Sequence, residues 1–109
     1  MNKLDTGNQE FYKDVYTVVA GIPEGTVTTY GDIALLLGRP QNSRMVGRAL
    51  KLVPHELSLP CHRVVNSQGR LAPDFIEQRQ LLLAEDVQFK KNGEVDMKKS
   101  RWKWELISM

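Results

Sequence analysis

The chain has 109 residues, one cysteine, a formal charge of +2 at neutral pH and a pI near 8.8. A single cysteine excludes an intramolecular disulfide, and no apolar run approaches the ~18 residues of a membrane span. The length suits one domain over residues 1–109 with a modest core, and we expect a cytoplasmic protein.

Two helices are predicted in the first third of the chain. Apolar residues at helical spacing predict an amphipathic helix over Asn8 to Ala20, followed by a turn rich in glycine and proline. A short extended piece at 26–28 leads to Thr29, whose hydroxyl is placed to cap a second helix. That helix is expected to run from Tyr30 to Leu37, because Gly38 and a proline follow it.

A third helix completes a helix-turn-helix pattern. Asn42 or Ser43 is expected to cap it, and it reaches about Leu52. The segment from Gly38 to Pro54 contains no acidic residue and four basic ones: Arg39, Arg44, Arg48 and Lys51. From this pattern alone, a helical hairpin with a basic outer face, which is common in bundles, is favoured over a DNA-binding helix-turn-helix, and both remain open.

The remaining segments predict a minor β component. Val64-Val65 is a short strand, and a fourth helix is expected from Asp74 to Glu85 with Phe75 and Ile76 on its apolar side. Asn92-Gly93 between alternating segments predicts a hairpin. The basic tail is expected to be a solvated terminus, with contact to DNA as the less favoured alternative: Lys90, Lys91, Lys98, Lys99, Arg101 and Lys103. The expected fold is mainly α, with a minor β component and a winged-helix-like helix-turn-helix.

The only cysteine lies in the pentapeptide Pro60-Cys61-His62-Arg63-Val64. A thiol is strongly nucleophilic as a thiolate, and a neighbouring base favours that form. An isolated cysteine is more often a small buried side chain without chemistry, so adjacency alone leaves both interpretations open. Metal binding is not expected, because His55 and His62 have no zinc-like spacing from this cysteine.

Three segments, in this order and spacing, resemble a known family. They are TYGDIA at 29–34, SRMVGRAL at 43–50 and LPCHRVVNSQG at 59–69. Together they resemble the DNA-binding domain of the O6-alkylguanine-DNA alkyltransferases and their relatives, the alkyltransferase-like proteins. The resemblance runs from about Phe11 to Glu85, and Pro-Cys-His-Arg-Val is the family's acceptor signature.

The resemblance implies a reaction. The family moves an alkyl group from O6 of guanine onto its own cysteine, once and without a cofactor. It implies that Cys61 is the acceptor, His62 the base acting through water, and Glu85 the carboxylate that orients His62. Tyr30 would supply a proton or hydrogen bond to guanine O6. Without the resemblance, Glu85 would be interpreted as an exposed acid at a helix end and Tyr30 as a core residue.

The resemblance also implies how double-stranded DNA containing O6-alkylguanine would be bound. The third helix would enter the minor groove, where small residues allow close approach, and Arg44 would be the finger that fills the gap left by the flipped nucleotide. From local sequence alone, Arg44 would be a phosphate-binding or solvated arginine. Met45 is larger than the family's usual residue. The expected DNA-contacting set is Tyr30, Ser43, Arg44, Met45, Gly47, Arg48, Lys51 and Arg63.

Three departures divide the functional hypotheses. Val53-Pro54 replaces the Asn-Pro of active transferases, and the segment 70–73 is shorter than the family's glycine-rich one, which predicts a more open pocket that admits bulkier alkyl groups. Gln78-Arg79 resembles the alkyltransferase-like branch, which binds alkylated DNA without repairing it. That branch usually replaces the cysteine, so the retained Cys61 is opposing evidence.

Three functions therefore remain open. The first is a DNA repair protein that recognises O6-alkylguanine by nucleotide flipping, with stoichiometric transfer to Cys61. The second is a non-enzymatic lesion sensor that directs damage to nucleotide excision repair proteins. The third is a helix-turn-helix transcriptional regulator, which predicts a dimer and a sequence-specific site, whereas both repair hypotheses predict a monomer. The resemblance covers the DNA-binding domain alone, without the separate amino-terminal domain of many alkyltransferases.

Overall fold

A computed structural model describes residues 3–103, and the predicted mainly α fold with a minor β component is confirmed. The elements are α1 (Lys3–Ala20), β1 (Thr28–Thr29), α2 (Tyr30–Leu36), α3 (Ser43–Lys51), β2 (Val64–Val65), α4 (Gln78–Ala84) and α5 (Met97–Ser100). Two 3-10 turns, His55–Leu57 and Cys61–Arg63, lie between α3 and β2. None of the helices within 3–103 is long and apolar enough to cross a membrane.

The first core joins α1 to the helix pair α2 and α3. Its buried side chains come from all three helices: Phe11, Val15, Val19, Ile33, Ala34, Val46 and Ala49. Thr29 caps α2 as predicted, since its Oγ1 accepts a hydrogen bond from the Asp32 N–H at 2.9 Å. The Tyr16 hydroxyl donates to the Ala49 carbonyl at 2.7 Å, which ties α1 to the last turns of α3.

The small sheet positions residues 59–69 beside the helix pair. We call these residues the acceptor segment, after the acceptor signature of the family they resemble, and its 3-10 turn at 61–63 the acceptor turn. β1 and β2 are parallel, with Thr28 opposite Val64 and Thr29 opposite Val65. Because α2 begins directly after β1, and the turn with Cys61 ends directly before β2, both segments are fixed to the same two-residue ladder. Residues far apart in sequence are thereby brought to one region of the surface.

A second core lies beneath the acceptor segment and consists of Val27, Val65, Leu82, Val87 and Val95. The predicted turn at Asn92-Gly93 is present, but the hairpin contains a single antiparallel bridge between Phe89 and Val95. Gly69 packs against this hairpin with φ of +87°. A Cβ there would lie 2.5 Å from the Val95 carbonyl oxygen, so only glycine fits without a shift.

The fourth helix begins later than predicted. α4 starts at Gln78 instead of Asp74, because two turns occupy the residues before it. In the first turn the Phe75 N–H donates to the Ala72 carbonyl, and in the second the Gln78 N–H donates to the Phe75 carbonyl. The predicted placement of Ile76 on an apolar face is wrong, since 87% of this residue is exposed.

The sequence suggested that the tail is a solvated terminus, but as far as Lys103 the tail is packed against the rest of the protein. Residues 97–100 form α5, and Ser100 is buried. Val27 pairs in parallel with Arg101, through Val27 N–H to the Ser100 carbonyl at 2.9 Å and Trp102 N–H to the Val27 carbonyl at 2.7 Å. These contacts extend the small sheet with a third segment.

Candidate functional site

An open cavity of about 810 Å³ lies between the helix pair and the acceptor segment. Tyr30 and Gly47 line it from α2 and α3, and Cys61 lines it from the 3-10 turn. The segment 70–75 forms another part of the wall, and Val53 occupies the place where the resemblance expects an asparagine. The cavity therefore combines a nucleophilic side chain with an apolar enclosure.

Cys61 is half-buried at the first position of its turn, with its N–H donating to the Leu59 carbonyl at 2.8 Å. Burial raises the pKa of the Cys61 thiol above its usual value, and a backbone hydrogen bond only partly offsets this effect. The thiol is therefore protonated at neutral pH in the free protein, so a base must take its proton if it is to attack.

His62 and Glu85 are in direct contact, with His62 Nε2 2.7 Å from Glu85 Oε2. Both side chains are largely buried, at 14% and 11% exposure. Glu85 is thus neither the exposed acid nor the solvated helix end that its local sequence suggests. The turn with Cys61 and the end of α4, 23 residues apart, meet at this contact.

Glu85 is a carboxylate at neutral pH. Burial alone would raise its pKa, but hydrogen bonds from Arg63, His62 and the Gly25 N–H outweigh burial and hold the pKa at about 2. Because this carboxylate only accepts hydrogen bonds, Nε2 of His62 must carry the proton. In neutral His62 the free lone pair therefore lies on Nδ1, which is the nitrogen available to act as a base.

Arg63 is placed differently from the predicted DNA contact. Its Nε and Nη2 donate to Glu85, at 3.0 Å to Oε1 and 2.7 Å to Oε2, and its Nη1 donates to the Ile22 carbonyl at 2.8 Å. With 15% of the side chain exposed, the guanidinium is held inside the protein. We interpret Arg63 as the partner of Glu85, and its contact with DNA stays a prediction.

Tyr30 lies at the start of α2 and faces the cavity, half-buried. Its ring lies against Gly47 on α3, where a Cβ would be 3.8 Å from the ring atoms Cδ1 and Cε1. Burial, together with the nearby Cys61, raises the pKa of the Tyr30 phenol. At neutral pH this hydroxyl is a proton donor.

The outer face of α3 is basic and open. Val46 and Ala49 point into the core, while Arg44, Arg48 and Lys51 are exposed. Among the side chains that the structure describes, at positions 8–103, none pairs with any of these three cations. The other predicted α3 residues, Ser43, Met45 and Gly47, are half-buried. α3 therefore presents free cations beside the cavity.

Gln78 was not identified from the sequence as a site residue, although it organises the cavity. This fully buried side chain donates to the carbonyls of His62 at 3.1 Å and Val64 at 2.9 Å, and accepts from the Ala72 N–H at 2.7 Å. It joins the acceptor turn to the cavity wall. The Gln78-Arg79 pair was noted only for its family resemblance, which gave no sign that Gln78 is buried while Gln80 on the same helix is exposed.

Comparisons with known proteins agree with this arrangement. Residues 10–87 match the family model described as "6-O-methylguanine DNA methyltransferase, DNA binding domain". A DNA base-flipping protein of Escherichia coli is 47% identical over 97 residues, covering 86% of this chain and 75% of that protein. A methylated-DNA--protein-cysteine methyltransferase of Methanosarcina acetivorans is 42% identical over 69 residues, covering 63% and 44%.

A solved structure has the same fold. Schizosaccharomyces pombe Atl1, in complex with damaged DNA containing O6-carboxymethylguanine, superposes with a TM-score of 0.76 at 38% identity. The match covers 87% of this chain and 96% of that one. The similarity thus includes both the helix pair and the acceptor segment.

Proposed function

The chain belongs to the family of the 6-O-methylguanine DNA methyltransferase DNA-binding domain, and we propose that it recognises O6-alkylguanine in duplex DNA for repair, by nucleotide flipping. The observation that carries the proposal is the cavity shared by Tyr30, Gly47 and Cys61. Its position beside the basic face of α3 fits a base that has left the duplex.

Flipping requires a substitute for the missing base, because unstacking and unpairing cost a few kcal/mol. Arg44 is exposed on α3 with its guanidinium free, which supports the role of a finger that enters the stack. Gly47 and Ser43 let the backbone of α3 approach the minor groove. Arg48 and Lys51 then bind phosphates, which gives affinity without reading sequence.

We further propose that Cys61 accepts the alkyl group in a single turnover. The Cys61 proton passes through water to Nδ1 of His62, and the resulting imidazolium is stabilised by Glu85 through Nε2–H. The sulfur then forms a bond to the alkyl carbon while the bond between that carbon and guanine O6 breaks. The departing guanine receives a proton from Tyr30, and the proton held on His62 returns through water to the Tyr30 phenolate, so thiol and alkylguanine become thioether and guanine without a cofactor.

A second candidate function is a lesion sensor that transfers nothing and recruits nucleotide excision repair proteins. Two observations favour it: burial raises the pKa of the Cys61 thiol, and Val53 at the cavity wall has no group to hydrogen-bond a thiolate. The Escherichia coli relative is named for base flipping and not for alkyl transfer, which fits this function as well. Both candidates use Arg44 and Tyr30 in the same way.

We propose a cytoplasmic location from the composition, and both repair functions imply a monomer whose affinity follows the lesion. A transcriptional regulator would instead bind one palindromic site as a dimer. Titrating unmodified duplexes of varied sequence against a duplex with one O6-methylguanine separates these functions. A strong preference for one unmodified palindrome would overturn the repair proposal.

The transfer step is tested by incubating the protein with a duplex containing one O6-methylguanine and measuring its intact mass. We expect one added methyl group per protein, located on Cys61 by peptide mass spectra, with no second turnover. The matched control is Cys61→Ala, which should bind the lesion and gain no mass. Tight lesion binding by the wild type without added mass would refute transfer and leave the sensor.

A further inference from the structure

The segment after the hairpin carries a second basic surface, separate from α3. Lys98 and Lys99 are exposed on α5, and Lys103 is exposed after it. Within the described part of the chain none of the three is in an ion pair. The segment lies beyond residues 10–87, so the family match does not assign it any function.

This segment, residues 97–103, has a defined position. Asp96 caps α5 by accepting from the Lys98 N–H at 3.1 Å, and the bonds of Val27 to Ser100 and Trp102 fix the backbone beside β1. Trp102 packs against the first core. Three free cations on an anchored backbone lose less conformational freedom on binding a ligand than the same cations on a disordered tail.

The anchor also places the segment at the start of α2. The guanidinium of Arg101 forms a bidentate pair with Asp32, with Nε 2.9 Å from Oδ2 and Nη2 2.5 Å from Oδ1. Asp32 is two residues after Tyr30, which is about 3 Å along the helix axis. The segment is therefore attached within one turn of the residue that faces the lesion cavity.

This pairing leaves the segment's surface positive. Asp32 is neutralised by Arg101, and Asp96 keeps its charge while it caps α5, so Lys98, Lys99 and Lys103 outweigh the one acid of residues 96–103. The polyanion that the proposed function brings to α2 is duplex DNA, whose phosphates are complementary to such a surface.

We propose that Lys98, Lys99 and Lys103 form a second phosphate-binding surface, which contacts the duplex beyond the part held by α3. The proposal rests on the proposed DNA-binding function and adds a surface to it. This surface binds backbone phosphate only, so it increases affinity for damaged and undamaged DNA by the same factor and leaves the lesion preference unchanged.

The test compares two triple variants on an undamaged duplex over a range of salt concentrations. Lys98→Gln/Lys99→Gln/Lys103→Gln removes the surface. Lys13→Gln/Lys90→Gln/Lys91→Gln removes the same charge from exposed positions on α1 and the hairpin turn. All six positions are exposed, so both variants should fold like the wild type.

We expect the slope of log association constant against log salt concentration to fall in magnitude by about 2 to 3 in the first variant, since each lost phosphate contact changes it by about 0.9. The second variant should keep the wild-type slope. An unchanged slope in the first variant, or an equal loss in both, would overturn the proposal. Absence of lesion preference in the wild type would overturn the proposed function instead, because the slope is measured on undamaged DNA.

Discussion

The acceptor turn and α3 line the same cavity, yet the polar groups of the turn are buried and paired while the cations of α3 are exposed. Arg63 of the turn is paired inside the protein with Glu85 at the end of α4, and its Nε, Nη1 and Nη2 all donate hydrogen bonds. On α3, Arg44 and Arg48 are exposed and form no ion pair with the side chains described at positions 8–103. The difference indicates that the turn is organised before DNA arrives, whereas the cations of α3 acquire their partners from the DNA.

Acid should have the largest effect on stability, because it protonates Glu85 and breaks its contacts with Arg63 and His62. The folded pKa of Glu85 is lowered from 4.5 to about 2, so its stabilising contribution is complete above pH about 4.5 and is lost as the pH falls toward 2. The shift corresponds to about 3 kcal/mol. Urea unfolding across this pH range should show the loss in the wild type and a smaller loss in Glu85→Gln.

The control for this pH series is Glu77→Gln, which removes an exposed carboxylate one residue before α4. This variant should keep the wild-type pH dependence. Equal acid sensitivity of the wild type and Glu85→Gln would show that the buried network does not supply this stability.

Gln78→Leu should have the next largest effect on the free energy of unfolding. The change nearly conserves volume but leaves the Ala72 N–H and the carbonyls of His62 and Val64 without this partner, which costs about 2 kcal/mol. Denaturant midpoints measure the loss. Gln80→Leu, at an exposed position of the same helix, should change the free energy of unfolding by less than about 0.5 kcal/mol, and similar losses in both variants would contradict the assignment.

Arg44→Ala should have the smallest effect on stability, within about 0.5 kcal/mol, because the side chain is exposed. Its effect should instead be on recognition, since an unfilled gap leaves the unstacking cost of a few kcal/mol uncompensated. Titrations with matched damaged and undamaged duplexes should show the lesion preference collapse. Arg48→Ala should weaken binding to both duplexes equally, and full discrimination by Arg44→Ala would refute the finger role.

Local chemistry explains what was predictable from sequence. The Thr29 cap with Asp32 three residues later, and the Asn92-Gly93 turn, depend on residues adjacent in the chain, and both are present. The position of Glu85 near His62 came only from the family resemblance, because nothing local distinguishes that acid from an exposed one.

The missed features depend on contacts between distant residues. Gln78 is recognisable only when the carbonyls of His62 and Val64 are in place, and the docking of the tail requires Asp32 to meet Arg101, 69 residues away. Ile76 was misplaced because its apolar character suggested a helix face, while the turns before α4 direct it outward. Such outcomes are set by tertiary structure rather than by residue pattern.

The hydrogen bond from Gly25 N–H to Glu85 joins residues 60 positions apart, at 3.1 Å. Contacts of this separation form late in folding, because a long loop must close before they are gained. During synthesis the helix pair leaves the ribosome well before Glu85 does. A nascent chain therefore exposes the residues of α2 and α3 before Glu85, and this carboxylate reaches His62 and Arg63 only when α4 docks.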